Sequence, residues 1–136
     1  MATKPTAAQT RELRSLQIAV AIAGLVPVSA GLSGALGGLA FMGTDTASIP
    51  VDSHFRYLSG LLLGIGIAFW CMIPTLASST GPARLLTFIV FIGGLARLYG
   101  WMLHGDTSAV VIFALVMELI VTPGLCLWQA RVAAQR

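Results

Sequence analysis

The sequence predicts an all-α integral membrane protein, a bundle of four transmembrane helices. Three observations predict this fold class: 57% of the 136 residues are hydrophobic, only 10% are charged, and the mean hydropathy is +0.88. A soluble domain usually contains about 25% charged residues. Because charges are so few, most of the surface has to face lipid, and the length suits a single membrane domain covering residues 1–136.

Four apolar stretches give the helix count, since a helix crosses the hydrocarbon core with about 20 residues. The predicted spans lie at about residues 16–41, 57–77, 85–103 and 108–128. The third contains Arg97 and the fourth contains Glu118. A central charge costs roughly 2.5 to 3.5 kcal/mol, whereas each Leu, Ile, Phe or Val returns about 0.3 to 0.6 kcal/mol. The ten such residues in the third stretch and the eleven in the fourth offset that cost.

The charges outside the spans predict the orientation in the membrane. Lys and Arg collect in short cytoplasmic loops. With four spans, the two basic tails and the loop after the second span lie on one side, and the acidic first and last loops lie on the other. We therefore expect a multi-pass protein of the bacterial inner (cytoplasmic) membrane with its N and C termini in the cytoplasm.

Small residues at helical spacing predict where the helices approach one another. Helix contact in lipid relies on close packing at such residues, because lipid tails supply no hydrophobic drive between helices. The predicted packing positions are Ala30, Gly34, Gly38, Gly60, Gly64, Gly93 and Gly94. They indicate packing within the bundle, and the alternative is a face that joins two copies of the chain.

Arg97 and Glu118 are ionisable residues inside spans, and such residues usually face the interior of a helix bundle. At 1.5 Å per residue they lie about 9 and 15 Å from the outer ends of two antiparallel neighbours. An Arg side chain reaches across this difference, so we predict a buried Arg97–Glu118 pair. The pair either fixes helix register or also contacts an anion, a quinone-like head group or a proton path.

Two further basic side chains belong to the same predicted polar site. Arg56 begins the second span and, together with Arg97, is expected to form a positive outer pocket for an anionic head group. His104 follows Arg97 by seven residues on the same helical face, so we expect it to hydrogen-bond within the polar cluster. The candidate ligand-site residues are therefore Arg56, Arg97, His104 and Glu118.

A second group of polar residues lies in the predicted outer loops, as D-x-H and H-x-D. Two His and two carboxylates are ligands that suit Zn²⁺. The four residues are Asp52, His54, His104 and Asp106. Because this spacing matches no known metal signature, we expect no metal site and keep these residues as the alternative.

The sequence contains no nucleophile–base motif, phosphate loop or dinucleotide fingerprint. We therefore expect no catalytic residues and no particular cofactor. The scattered Lys and Arg form no basic patch, which argues against a nucleic-acid partner.

Several sequence runs resemble a bacterial membrane family, domain of unknown function 4345. Residues 54–64, HFRYLSGLLLG, resemble its second-helix motif, and residues 93–98, GGLARL, resemble its third. Glu118 with Pro123 resembles its fourth-helix motif. The resemblance implies four membrane helices and marks Arg56, Arg97 and Glu118, but it implies no substrate. The layout is also similar to DoxX-like four-helix proteins, some linked to quinone chemistry, at the level of fold alone.

Three functions remain open from the sequence. The first is a non-enzymatic membrane protein that packs in the lipid bilayer against a homodimer mate or assists a larger membrane partner. The second is a small ligand-binding or proton-coupled transport protein that uses the polar site. The third is a quinone-linked oxidoreductase accessory.

Overall fold

The computed structural model describes residues 6–44, 48–105 and 108–135, which contain helices and no strand. Four helical stretches in these ranges are long and apolar enough to cross a membrane. They are Ala7–Met42, Ile49–Thr75, Thr80–His104 and Ala109–Ala134. The predicted all-α class and the count of four spans are therefore confirmed, and the protein is a multi-pass membrane protein.

The individual elements follow one another with short breaks. Helix α1 is Ala7–Gly37 and continues as a 3₁₀ turn over Gly38–Met42, and α2 is Ile49–Met72 with a 3₁₀ turn over Ile73–Thr75. Helix α3 is Thr80–His104, and α4 is Ala109–Val116. A π turn over Met117–Val121 then leads into α5, Thr122–Ala134. 

The helices extend beyond the predicted spans because counting apolar residues finds only the part that lies in hydrocarbon. Helix α1 begins at Ala7, well before the apolar run. The Thr6 N–H donates to Gln9 Oε1 at 2.8 Å, and the Gln9 N–H donates to Thr6 Oγ1 at 3.3 Å. This reciprocal pair is a capping box, which satisfies N–H groups that the first turn leaves unpaired.

Residues 21–71 form one compact unit, an antiparallel pair made by the later part of α1 and α2. A Cβ added at Gly31 would lie 2.5 Å from the Leu63 backbone nitrogen and 2.8 Å from the Ser59 carbonyl oxygen. No side chain fits there, so the two backbones approach directly. Farther along, the Trp70 indole N–H donates to a carbonyl of α1 at 3.1 Å.

The predicted small-residue positions are only partly used for packing. Three of them are buried, and a Cβ would collide with a neighbouring element at each: Gly34, Gly38 and Gly94. The others need correction, because Ala30 is exposed and an added Cβ meets nothing within 4 Å at Gly60, Gly64 or Gly93. A four-residue repeat identifies small residues but does not fix the rotation of a helix. Helix α2 presents Ser59, Leu63 and Gly66 to α1 instead.

The other compact unit comprises residues 6–20 and 72–135 of the described chain. Its apolar core includes Leu16, Leu76 and Val132, none more than 2% exposed. Gln129 is buried beside them, and its Nε2 donates to the Leu76 carbonyl at 2.7 Å and to Thr80 Oγ1 at 3.1 Å. These bonds tie α5 to the start of α3, which runs antiparallel to it.

Candidate functional site

The predicted contact between Arg97 and Glu118 is present, inside the second of these units. Arg97 Nε donates to Glu118 Oε2 at 2.9 Å, and Arg97 Nη2 donates to Glu118 Oε1 at 3.0 Å. The pair is therefore bidentate, with one N–H on each carboxylate oxygen, which is the strongest arrangement for these groups. The opposite charges neutralise each other at a depth where an unpaired charge is costly.

The pair is more open than the sequence analysis expects. The Arg97 side chain is 40% exposed and the Glu118 side chain is 16% exposed. Of the predicted buried pair, Glu118 is therefore the more enclosed member. Arg56 is half-exposed and His104 is exposed.

Gly94 lets α3 approach the helix that carries Glu118. A Cβ added at Gly94 would lie 2.7 Å from Leu119 Cδ2 and 2.9 Å from Glu118 Cβ. Any larger residue would push the carboxylate away from Arg97. The neighbouring Gly93 faces open space.

We therefore expect Gly94→Val to weaken the Arg97–Glu118 contact and to lower the unfolding midpoint in a detergent titration. Gly93→Val is the matched control, since it places the same β-branched residue one position away with nothing within 4 Å of its Cβ. Both variants carry the same intrinsic helix preference. Equal unfolding midpoints for the two variants would contradict the packing role of Gly94.

The π turn places Glu118 at the pair. The Thr122 N–H and the Thr122 hydroxyl both donate to the Met117 carbonyl, the hydroxyl at 2.8 Å. Pro123 explains the wider turn, because proline has no N–H and its ring clashes with the carbonyl four residues earlier. Single π turns inside α-helices occur frequently at functional sites. This π turn, Met117–Val121, contains Glu118, the ionisable residue of the fourth span.

A groove of about 320 Å³ opens beside the ion pair. It is lined by Arg97, Gly100, Trp101, His104 and Val111. In the described chain Arg97 Nη1 has no hydrogen-bond partner, because Glu118 takes Nε and Nη2. The Trp101 indole N–H is buried and also has no partner among the described residues. The groove therefore combines the unused edge of the Arg97 guanidinium with apolar walls, and the predicted hydrogen bond of His104 within the polar cluster stays a prediction.

Arg56 makes contacts that the sequence analysis does not predict. Its Nε donates to Asp52 Oδ2 at 2.7 Å, and its Nη1 donates to the carbonyls of Ala35 at 3.0 Å and Leu36 at 2.7 Å. Asp52 Oδ1 in turn accepts the Leu39 N–H at 2.8 Å. We call this arrangement the Asp52–Arg56 clamp. A cation on the last carbonyls of a helix satisfies groups that would otherwise be unpaired.

The clamp belongs to the unit of residues 21–71, whereas Arg97 belongs to the other unit. A positive pocket shared by Arg56 and Arg97 therefore stays a prediction. The donors of Arg56 are already engaged by Asp52 and by the end of α1. Sequence reasoning missed the clamp although the signal was available, because Asp52 and Arg56 have the i, i+4 spacing of helical ion pairs.

The outer-loop metal alternative gains no support from the described residues. No three His, Cys, Asp or Glu side chains come together in residues 6–44, 48–105 and 108–135. Asp52 is held by Arg56, His54 and His104 are exposed, and Asp106 lies outside the described residues. The four-residue site is thus a prediction that these residues alone do not test.

Trp101 and Gln129 are polar features that the sequence analysis did not single out. Each carries a buried atom without a partner among the described residues, the indole nitrogen of Trp101 and Oε1 of Gln129. The sequence did not point to either atom. A Trp near the end of a span is common, and Gln129 lies just after the predicted fourth span, residues 108–128. 

Comparison with known proteins gives a family and no activity. No curated protein and no solved structure matches the chain. A family model matches residues 15–129, a range that holds Arg56, Arg97 and Glu118 and extends over most of all four helices. The chain therefore belongs to the family described as Domain of unknown function (DUF4345).

Proposed function

We propose that this protein is a non-enzymatic binding protein of the bacterial inner membrane, which holds the polar head of a lipid-soluble ligand in the groove beside Arg97 and Glu118. The open side of the ion pair carries this proposal. An ion pair that only stabilised the fold would not need guanidinium N–H groups without a partner. Arg97 nevertheless leaves Nη1 without a partner among the described residues, and its side chain is 40% exposed.

The depth of Arg97 supports an occupant other than water. Arg97 lies seven residues before His104, the last residue of α3, which is about 10 Å at 1.5 Å per residue. Charged groups inside spans are almost always paired or directed to a cavity. Arg97 Nη1 faces neither a carboxylate nor a carbonyl of the described residues, so a ligand acceptor at this depth would stabilise it.

The shape of the groove supports an amphiphile. Trp101 and Val111 offer apolar surface to a chain or ring, and a Cβ added at Gly100 meets nothing within 4 Å. Small-molecule sites are mostly apolar with a few placed polar groups. Here those groups are Arg97, Trp101 and His104.

Native mass spectrometry of the protein in lipid nanodiscs tests the proposal. We expect the wild-type protein to retain a bound small molecule, and Arg97→Gln to lose at least about 90% of it, because a tenfold loss corresponds to removal of one good hydrogen bond to a charged group. Arg84→Gln is the matched control: the same substitution at another exposed residue of α3.

A reversed pair separates ligand binding from a structural role. The double variant Arg97→Glu with Glu118→Arg restores one cation and one anion but moves the free guanidinium edge to the other helix. We expect wild-type unfolding behaviour without the bound molecule. The proposal fails if the wild-type protein carries no molecule, or if a second protein chain, lost in Arg97→Gln, covers the groove instead.

A further inference from the structure

We infer that the head group bound in this groove is an uncharged hydrogen-bond acceptor, a carbonyl oxygen as in an ester, ketone or quinone, and not a carboxylate, phosphate or amine. This inference rests on the proposed function and narrows it to one chemical class. It follows from the charge balance of the site and from the kind of hydrogen-bonding atoms left unused.

The charge balance disfavours a charged head group. Arg97 and Glu118 already neutralise each other through two hydrogen bonds. An anion beside Arg97 would leave a net negative charge next to the Glu118 carboxylate, in surroundings where charges are poorly screened. A cation would leave a net positive charge next to Arg97. A neutral head group keeps the site neutral.

The unused atoms call for an acceptor. Each Glu118 oxygen already accepts one N–H from Arg97, and the Glu118 side chain is only 16% exposed. Arg97 Nη1, on a side chain that is 40% exposed, and the buried Trp101 indole nitrogen are donors without partners among the described residues. A carbonyl oxygen has two lone pairs and no proton to place. It can accept from Arg97 Nη1.

The walls of the groove fit the remainder of such a molecule. Trp101 and Val111 lie on the side of Arg97 that leads to His104, the end of α3. An acyl chain or a flat ring can lie on these side chains while the carbonyl reaches Arg97. His104, which is exposed, then lies at the far end of the groove from the carbonyl, beside the remainder of the molecule.

A matched probe series tests the head-group class. The probes are a long-chain fatty acid, its methyl ester, the primary amine with the same chain and the corresponding alkane, each radiolabelled. Partitioning of each probe between protein-containing and empty nanodiscs at neutral pH gives its affinity. The acid and the ester share the chain and the carbonyl and differ in charge, so their ratio isolates the effect of charge.

We expect the methyl ester to bind at least tenfold more tightly than the acid, the amine and the alkane. Arg97→Gln should abolish that preference, Arg84→Gln should keep it, and the reversed-pair variant should lose it while remaining folded. Acid or amine binding as tight as ester binding overturns the inference and leaves the proposed function standing. If no probe binds the wild-type protein more tightly than it binds Arg97→Gln, the inference is overturned. If the wild-type protein also carries no co-purified molecule in native mass spectrometry, the proposed function is overturned too.

Discussion

Replacing Glu118 by Ala should destabilise the protein by up to about 2.5 to 3.5 kcal/mol, the insertion cost of an unpaired charge at the centre of a span. The variant leaves the Arg97 guanidinium without either of its two carboxylate contacts. We expect a large fall in the unfolding midpoint during titration with a denaturing detergent. Circular dichroism would follow the loss of helix in the same titration.

The neutral double variant, Arg97→Gln with Glu118→Gln, is the control for this prediction. It removes both charges, so it carries no desolvation cost from an unpaired ion, and two amides can hydrogen-bond to each other. We expect it to recover most of the stability lost in Glu118→Ala while remaining unable to bind ligand. Equal destabilisation of the two variants would mean that volume, rather than charge, makes Glu118 necessary.

Substitution of Gly38 by Ala should destabilise the helical pair of residues 21–71 by about 2 to 4 kcal/mol, from backbone strain together with broken, part-buried hydrogen bonds of the clamp. Gly38 has φ +60°, which a side chain disfavours, and its Cβ would collide with Asp52 Oδ1 and the Arg56 guanidinium. The substitution therefore opens the Asp52–Arg56 clamp as well as straining the chain.

Gly43→Ala provides the matched control. Gly43 has φ +73°, but an added Cβ meets nothing within 4 Å. This variant carries only the strain of the left-handed conformation, about 1 kcal/mol. The difference between the two unfolding midpoints measures the clamp. If Gly38→Ala loses no more stability than Gly43→Ala, the clamp contributes little.

The sequence was sufficient for the spans and for the ion pair because both depend on distance along a helix. Hydrophobic length fixes the number of crossings, and residue depth matched Arg97 to Glu118 on neighbouring antiparallel helices. Depth along a helix does not change when the helix rotates. The facing of the two side chains came from the tendency of ionisable residues to point into the bundle.

Properties that depend on helix rotation or on backbone detail were less accessible. Gly60 and Gly64 have the spacing of a packing motif, yet α2 meets α1 through Ser59 and Leu63. The π turn before Pro123 was not foreseen either, since proline alone also fits a kink or a helix end. The contact between Arg56 and Asp52 was not predicted, because the i, i+4 spacing of the two residues was not taken into account.

The Asp52–Arg56 clamp has a consequence for the segment that joins α1 to α2. Side chains of α2 already hold the end of α1 through its carbonyls and the Leu39 N–H, so the pair does not depend on one particular length of the connection. Lengthening a loop costs only about 0.6 kcal/mol per doubling. An epitope inserted directly after Thr44 should leave the fold intact, and antibody access in intact cells would then reveal which side of the membrane this end of the first span faces.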